Sequence, residues 1–258
     1  MIALVTGATS GIGRDISREL VSRGIKVVLT GRNKENLAEL RSELGKDMTA
    51  AIACDLGDEK ACVALYNKLK DKNIDILINC AGFGAFGEFL NVPLKTELDM
   101  INVNIKAVHI LTKLFLRDFV KRNSGYILNV ASAAGFLAGP LMSTYYATKS
   151  YVVRMTHAIY EELRRRGSDV YVGVFCPGPV KTDFNRRAGV QFVTDGIESR
   201  YAAKFAVDRM FDGKLTILPG AMMNLGIFAL RLAPVKTALK AAYHLQRRKG
   251  EPPQYEEE

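Results

Sequence analysis

Short apolar runs alternate with longer amphipathic stretches from the first residue onward. Runs rich in β-branched residues at 2–6, 25–30, 48–54 and 74–80 predict strands, and the 3.6-residue periodicity between them predicts helices over 11–23, 34–44 and 58–70. The strand runs are apolar at consecutive positions, as expected of strands covered by helices on both faces. Two long helices follow over 94–121 and 143–166, flanking a strand at 125–130. A strand at 169–176, a helix near 194–211 and a strand at 214–218 finish the pattern. Alternation of this kind predicts an α/β fold: a single doubly wound parallel sheet of Rossmann type, with helices on both faces. No internal repeat or linker divides the chain. Residues 1–250 are expected to form one domain, and the tail at 251–258 is expected to fray.

Composition narrows the class. The 258 residues are 48% hydrophobic, which suits a packed globular core and excludes a disordered chain. Cys54, Cys62, Cys80 and Cys176 lack metal-ligand spacing and read as small apolar residues of a reducing compartment, with no metal expected. The first strand begins at the first residues with no basic leader, which predicts a cytoplasmic protein. The net charge of +9 is spread along the chain and does not interleave with aromatics, so no nucleic-acid partner is expected.

The first candidate chemistry follows the first strand, in Thr6-Gly7-Ala8-Thr9-Ser10-Gly11-Ile12-Gly13. Glycines there let backbone approach a ligand closely, and a helix starting at Gly11 aims its free N–H groups and positive dipole end at a pyrophosphate. Ser10 either adds a phosphate contact or caps the helix. A literal G-x-G-x-x-G at Gly82-Phe83-Gly84-Ala85-Phe86-Gly87 follows the fourth strand without opening a helix, and is discounted. Past the second strand, where an acidic residue would hold a ribose 2′-hydroxyl, stand Gly31 and Arg32. A guanidinium there suits a 2′-phosphate and predicts NADP(H) over NAD(H), unless Arg32 is an ordinary solvated arginine.

The second cluster lies further on. Ser132 ends the fifth strand, and Tyr145 and Lys149 follow four residues apart on one face of a helix. A cation beside a phenol is expected to lower its pKa and make it a proton donor or acceptor. Tyr146 points about 100° away from Tyr145 on the helical period. A second Tyr-x-x-x-Lys, Tyr66 and Lys70, has no such company. The histidines, His109, His157 and His244, have no evident partner in the sequence and receive no role.

Together with Asn79-Cys80-Ala81-Gly82, Asn104 and Pro177-Gly178-Pro179-Val180-Lys181-Thr182, these motifs resemble the short-chain dehydrogenase/reductase family, in order from Thr6 to Thr182. The resemblance implies Tyr145 as general acid in reduction and base in oxidation, Ser132 as a hydrogen-bond partner of the substrate oxygen, and Lys149 as a ribose contact. It implies Asn104 as holder of a relay water, with Asn102 the alternative. Asp55 and Leu56 stand where the family contacts adenine. Asn79, Ala81 and Gly82 resemble the segment beside the cofactor, where Cys80 departs from the usual Asn. Pro177, Gly178, Val180 and Thr182 would flank the carboxamide. Gly7, Ser10, Gly11, Ile12, Gly13 and Arg32 complete the cofactor set.

Phe136, Leu137, Met142, Phe184 and Phe192 are candidate walls for an apolar carbonyl or alcohol such as an acyl thioester, sterol or hydrophobic ketone. Their alternative is plain packing beneath a loop. The segment at 220–248 alternates apolar and basic positions and resembles the branch acting on acyl chains or hydroxysteroids. It reads as packing on the body, a lid, a dimer face or a peripheral membrane contact. The resemblance implies a homodimer or tetramer. The expectation is an NADPH-dependent carbonyl reductase. Its rivals are an NAD(P)-dependent alcohol or hydroxysteroid dehydrogenase and a non-catalytic NADP-binding sensor.

Overall fold

The computed structural model describes residues 1–190, 196–220, 226, 234–248 and 255. Its apolar runs pair as one parallel sheet: β1 (Ile2–Thr6), β2 (Lys26–Gly31), β3 (Thr49–Ala53), β4 (Ile76–Asn79), β5 (Tyr126–Val130), β6 (Tyr171–Phe175) and, after a two-residue pair described below, β9 (Thr216–Ile217). The order is β3-β2-β1-β4-β5-β6-β9, with every pairing parallel. The order reverses between β1 and β4, which opens a crevice at their carboxyl ends, the usual ligand position in such sheets.

Helices cover both faces because the strands are apolar on both. On one face α1 (Gly11–Ser22) and α2 (Lys34–Leu44) bury Ile16, Leu20, Leu37 and Leu40 in the same core cluster as Val5, Val27 and Leu29. On the other, α3 (Glu59–Leu69) sets Cys62 and Leu65 beside Phe115 and Phe119, against Leu4, Leu77 and Ile127. The long helix expected over 94–121 is continuous but not uniform. It runs as α4 (Leu94–Ile101), a π-helical segment Asn102–Ala107 and α5 (Val108–Lys121). Wider turns of this kind cluster at functional sites, and Asn104 lies within this one, fully buried. A single helix, α6 (Ser143–Arg165), carries Tyr145 and Lys149.

Two features had no signal in the pattern. A parallel pair of two-residue strands, β7 (Val180–Lys181) and β8 (Ile197–Glu198), brackets a short helix α7 (Phe184–Ala188) within the expected loop. Two residues are too few to show a period. The helix expected near 194–211 is α8 (Ser199–Phe211), which packs on α1.

At the C-terminal end, α9 (Val235–Arg247) buries only Gln246. Residues 221–225 and 227–233, including Leu230 and Leu232, lie outside the described residues. Of the tail expected to fray, only Tyr255 is described, and it is docked. Its hydroxyl donates to the Phe86 carbonyl at 2.9 Å, in a cluster with Val92. Among the described residues, no helix is long and apolar enough to cross a membrane.

Candidate active site

The crevice at the strand ends is a cleft of about 680 Å³. Its walls begin with the loop after β1. Thr6 Oγ1 accepts from the Cys80 and Ala81 amides at 2.9 and 3.1 Å and donates to the Ile78 carbonyl, which clamps β1 to the segment after β4. The two backbones then pass so closely that a Cβ on Gly7, at φ +64°, would lie 2.8 Å from Ala81 Cα. A Cβ on Gly13 would lie 2.3 Å from the Gly7 carbonyl oxygen. Only glycine fits either place. Helix α1 has no acidic residue in its first turn. Its Ncap residue, Ser10, makes no side-chain cap bond, so of its two readings the phosphate contact stays open.

Gly7, Ser10, Gly11, Ile12, Gly13, Arg32, Asp55, Leu56, Ala81 and Gly82 all line this cleft. Pro177, Gly178, Val180 and Thr182 line it from the segment after β6. Asn79 does not. Its amide donates to Thr112 Oγ1 at 3.0 Å and Asn129 Oδ1 at 2.9 Å, and Asn129 donates on to Thr156 at 3.0 Å. This buried network ties β4 and β5 to α5 and α6 beneath the site. The discounted glycine motif serves as packing: a Cβ on Gly84 would stand 3.0 Å from Phe184, 3.1 Å from Tyr145 and 3.3 Å from Met142.

Ser132 Oγ accepts from the Ala134 amide at 3.2 Å, opening a 3-10 turn, and donates to the Pro177 carbonyl at 3.4 Å; with Tyr145 it lines the cleft. Lys149 is 5% exposed. Its Nζ donates to the Val130 carbonyl at 3.1 Å and lies 5.8 Å from the Tyr145 ring centroid. Burial lowers the lysine pKa to about 8. The expected depression of the tyrosine is not what the structure shows. Burial pushes the Tyr145 phenol up, with the nearby Ser132 hydroxyl opposing it. The ammonium is held by a carbonyl and lies over the ring. Burial therefore favours the protonated phenol.

Asn104 is committed to the chain. Its Oδ1 accepts from the Phe83 amide at 3.1 Å, and its Nδ2 donates to the Phe83 carbonyl at 2.9 Å and Thr148 Oγ1 at 3.1 Å. A Cβ on Gly82 would lie 3.0 Å from Asn104 Oδ1 and 3.2 Å from Lys149 Nζ, so glycine keeps the space between them clear.

Of the apolar candidates, Met142 and Phe184 line the cleft, with the Phe184 ring 5.4 Å from that of Tyr145. Phe136 and Leu137 are not part of the lining. Phe136 ends the 3-10 turn and packs with Val152, Val153 and Val174. Phe192 lies outside the described residues.

The cleft also gains residues that the periodicity did not single out: Thr9, Phe83, Val103, Tyr146 and Leu245. Tyr146 does point away from Lys149, yet the cleft wraps the first turn of α6 and takes in both tyrosines. Its hydroxyl accepts from Gln246 Nε2 at 2.5 Å, which brings α9 to the mouth. Leu245 lies within the 220–248 segment but had not been singled out in it.

Other readings shift in detail. Cys54 and Cys80 are half-buried and line the cleft, whereas Cys62 and Cys176 are buried. His109 meets Tyr151 and His157 meets Thr216, so both have structural partners. Tyr66, of the second Tyr-x-x-x-Lys, donates to Asp118 at 2.8 Å. Among the described residues, no group of three His, Cys, Asp or Glu side chains is gathered for a metal.

A parallel sheet with a glycine-loop cleft at its switch point and a Ser-Tyr-Lys cluster on its far wall defines a dinucleotide-type site. The short chain dehydrogenase family model matches residues 1–191, and the chain belongs to that family. It is 38% identical over 175 residues to the human very-long-chain 3-oxoacyl-CoA reductase, a match covering 64% of this chain and 55% of that protein. It is 34% identical over 186 residues to hydroxysteroid dehydrogenase-like protein 1 of Gallus gallus, covering 70% of this chain and 56% of the relative. These matches span about half the length of those relatives. A short-chain dehydrogenase from Sphingobium yanoikuyae in complex with NADPH superposes with a TM-score of 0.82 at 28% identity, covering 89% of this chain and 92% of the other. The chain thus resembles the acyl-chain and hydroxysteroid reductases of its family.

Proposed function

We propose that this chain reduces the carbonyl of an apolar substrate to an alcohol with NADPH. The carrying observation is that Ser132, Tyr145 and buried Lys149 are brought together in one cleft at the strand ends. Gly7, Gly11 and Gly13 form a cradle that side chains would fill, and Ser10 and the α1 N-terminus suit a pyrophosphate. Arg32, beside Gly31 in the cleft wall, suits a 2′-phosphate, and Asp55 and Leu56 flank the adenine end. When bound there, a reduced nicotinamide supplies hydride to the carbonyl carbon.

The chain supplies the rest. Ser132 Oγ and the Tyr145 hydroxyl together orient the substrate oxygen. Tyr145, kept protonated by burial, donates its proton as charge develops on that oxygen. Lys149, with a pKa of about 8, exchanges its own proton in the working pH range and, when charged, favours the phenolate left after that transfer. Asn79 and Asn104 hold the β4 segment and the π-helical turn in place around them. Met142, Phe184 and Tyr146 give the substrate an apolar wall.

An acyl thioester or steroid fits that wall, and the named activity of the human relative supports the acyl class. Of the readings of 220–248, Leu245 in the lining and the Gln246–Tyr146 bond favour a lid. The test is a panel of ketones, 3-oxoacyl thioesters and steroids with NADPH and NADH, followed by nicotinamide absorbance. Long apolar carbonyls should turn over best with NADPH, and Tyr145→Phe should lower kcat by about 10²- to 10⁴-fold. Tight cofactor binding with no turnover anywhere would favour the sensor instead.

A further inference from the structure

The adenosine end of the cleft contains a contact that the family motifs do not explain. Gly31 ends β2, and its backbone is held on both sides. Its carbonyl accepts from the Cys54 amide at 3.0 Å, and the neighbouring Thr30 carbonyl accepts from the Ala8 amide at 3.1 Å. Thr30 Oγ1 also donates to the Ile52 carbonyl at 2.6 Å. A Cβ on Gly31 would lie 3.1 Å from Thr9 Cγ2, 3.3 Å from Thr9 Oγ1 and 3.8 Å from Thr9 Cβ. Thr9 and Gly31 both line the cleft beside Arg32.

We propose that Thr9 is a specificity-determining residue: it occupies the space into which a side chain at position 31 would emerge, and so locks the site against an acidic, NAD-type residue there. The claim rests on the NADPH reading above and deepens it. The physical point is the branching of threonine. Its two γ atoms occupy two of three staggered positions, and in this structure both lie against Gly31. Any rotation about χ1 moves one γ atom away but leaves or brings one into the same pair of positions. The backbone of Gly31 cannot retreat without breaking the ladder to β3 or the Ala8 bond. Serine, with one γ atom, can take the third position and clear the space. Discrimination at this end therefore needs two residues, the arginine that attracts a phosphate and the threonine that keeps a carboxylate from position 31.

The test is a double-mutant cycle on the full chain with Gly31→Asp, Thr9→Ser and both together. Dissociation constants for NADPH and NADH are read from nicotinamide fluorescence, with Tm alongside. Gly31→Asp alone should weaken NADPH by tenfold or more while leaving NADH within threefold of the parent. Adding Thr9→Ser should tighten NADH at least tenfold over Gly31→Asp. A Gly31→Asp chain that gains NADH as fully as the double variant overturns the proposal. If the aspartate variant fails to fold, Gly31→Ala replaces it. Its Tm should fall and recover with Thr9→Ser, and no recovery overturns the claim. A parent chain that binds both cofactors equally would sink the NADPH reading alone, because the coupling between Thr9 and position 31 is measured independently.

Discussion

The glycine-loop end of the cleft and its C-terminal rim are held in opposite ways. At the loop, Thr6 makes three hydrogen bonds to one crossing segment, two glycines sit where no Cβ fits, and α1 is buried against α8. At the rim, α9 buries one side chain of thirteen, a glutamine, and Leu245 lines the cleft while 61% exposed. On the proposed reading, the contrast follows from what each end recognises. A pyrophosphate needs backbone groups at fixed positions. A variable apolar chain needs only a surface that can move and re-form, and weakly packed elements open at low cost.

That contrast can be tested at its strong end first. Gly13→Ala places a carbon 2.3 Å from the Gly7 oxygen, so the loop must rebuild. Cofactor affinity should fall more than about 100-fold, and Tm by about 5 °C or more, the scale of an overpacked core. Normal cofactor titration of this variant would show that the loop is more pliant than its contacts imply. Arg32→Ala should weaken NADPH about 10- to 100-fold, the size of a charged hydrogen bond, and leave NADH unchanged. Equal losses for both cofactors would remove the basis for the 2′-phosphate assignment.

The buried lysine gives a pH signature between the two ends. Its folded pKa of about 8 lies below its ordinary 10.5, so the unfolded chain binds the extra proton as pH rises between them. The burial penalty is full below pH 8, and stability then rises with pH, by at most about 1.4 kcal/mol per unit. Tyr145 acts oppositely above pH 10, where the unfolded phenol ionises first. Lys149→Met should flatten the rise in Tm between pH 8 and 10. An unchanged slope would mean that other groups produce it. The smallest effect belongs to the rim: Gln246→Ala should raise KM for long-chain substrates about threefold with Tm shifted by under about 2 °C, the range of a surface change. A large Tm loss would make α9 part of the body and erase the contrast.

Much of the fold was legible from local pattern. The strand periods located the core strands to within a residue or two, and glycine spacing located the cradle. The π-helical turn around Asn104 was invisible, because an extra residue in one helical turn leaves the apolar pattern nearly intact. Phe136 was misplaced for a related reason. Its nearness to Ser132 in sequence says nothing of which way a 3-10 turn directs it, and it points into the body. Tyr146 was set aside on helical angle, which measures direction about its own axis and not the breadth of the cleft.

The sequence by itself determined the alternation of elements, the glycine cradle and the pairing of Tyr145 with Lys149 on one helical face, all consequences of spacing within a few residues. Only the tertiary structure decided that burial favours the protonated phenol, that Asn104 is spent on Phe83 and Thr148, and that α9 reaches the mouth through Gln246. Spacing along a chain sets where a side chain points from its own element. Its solvation and its partners depend on segments that arrive from far away in sequence, and those govern charge and contact.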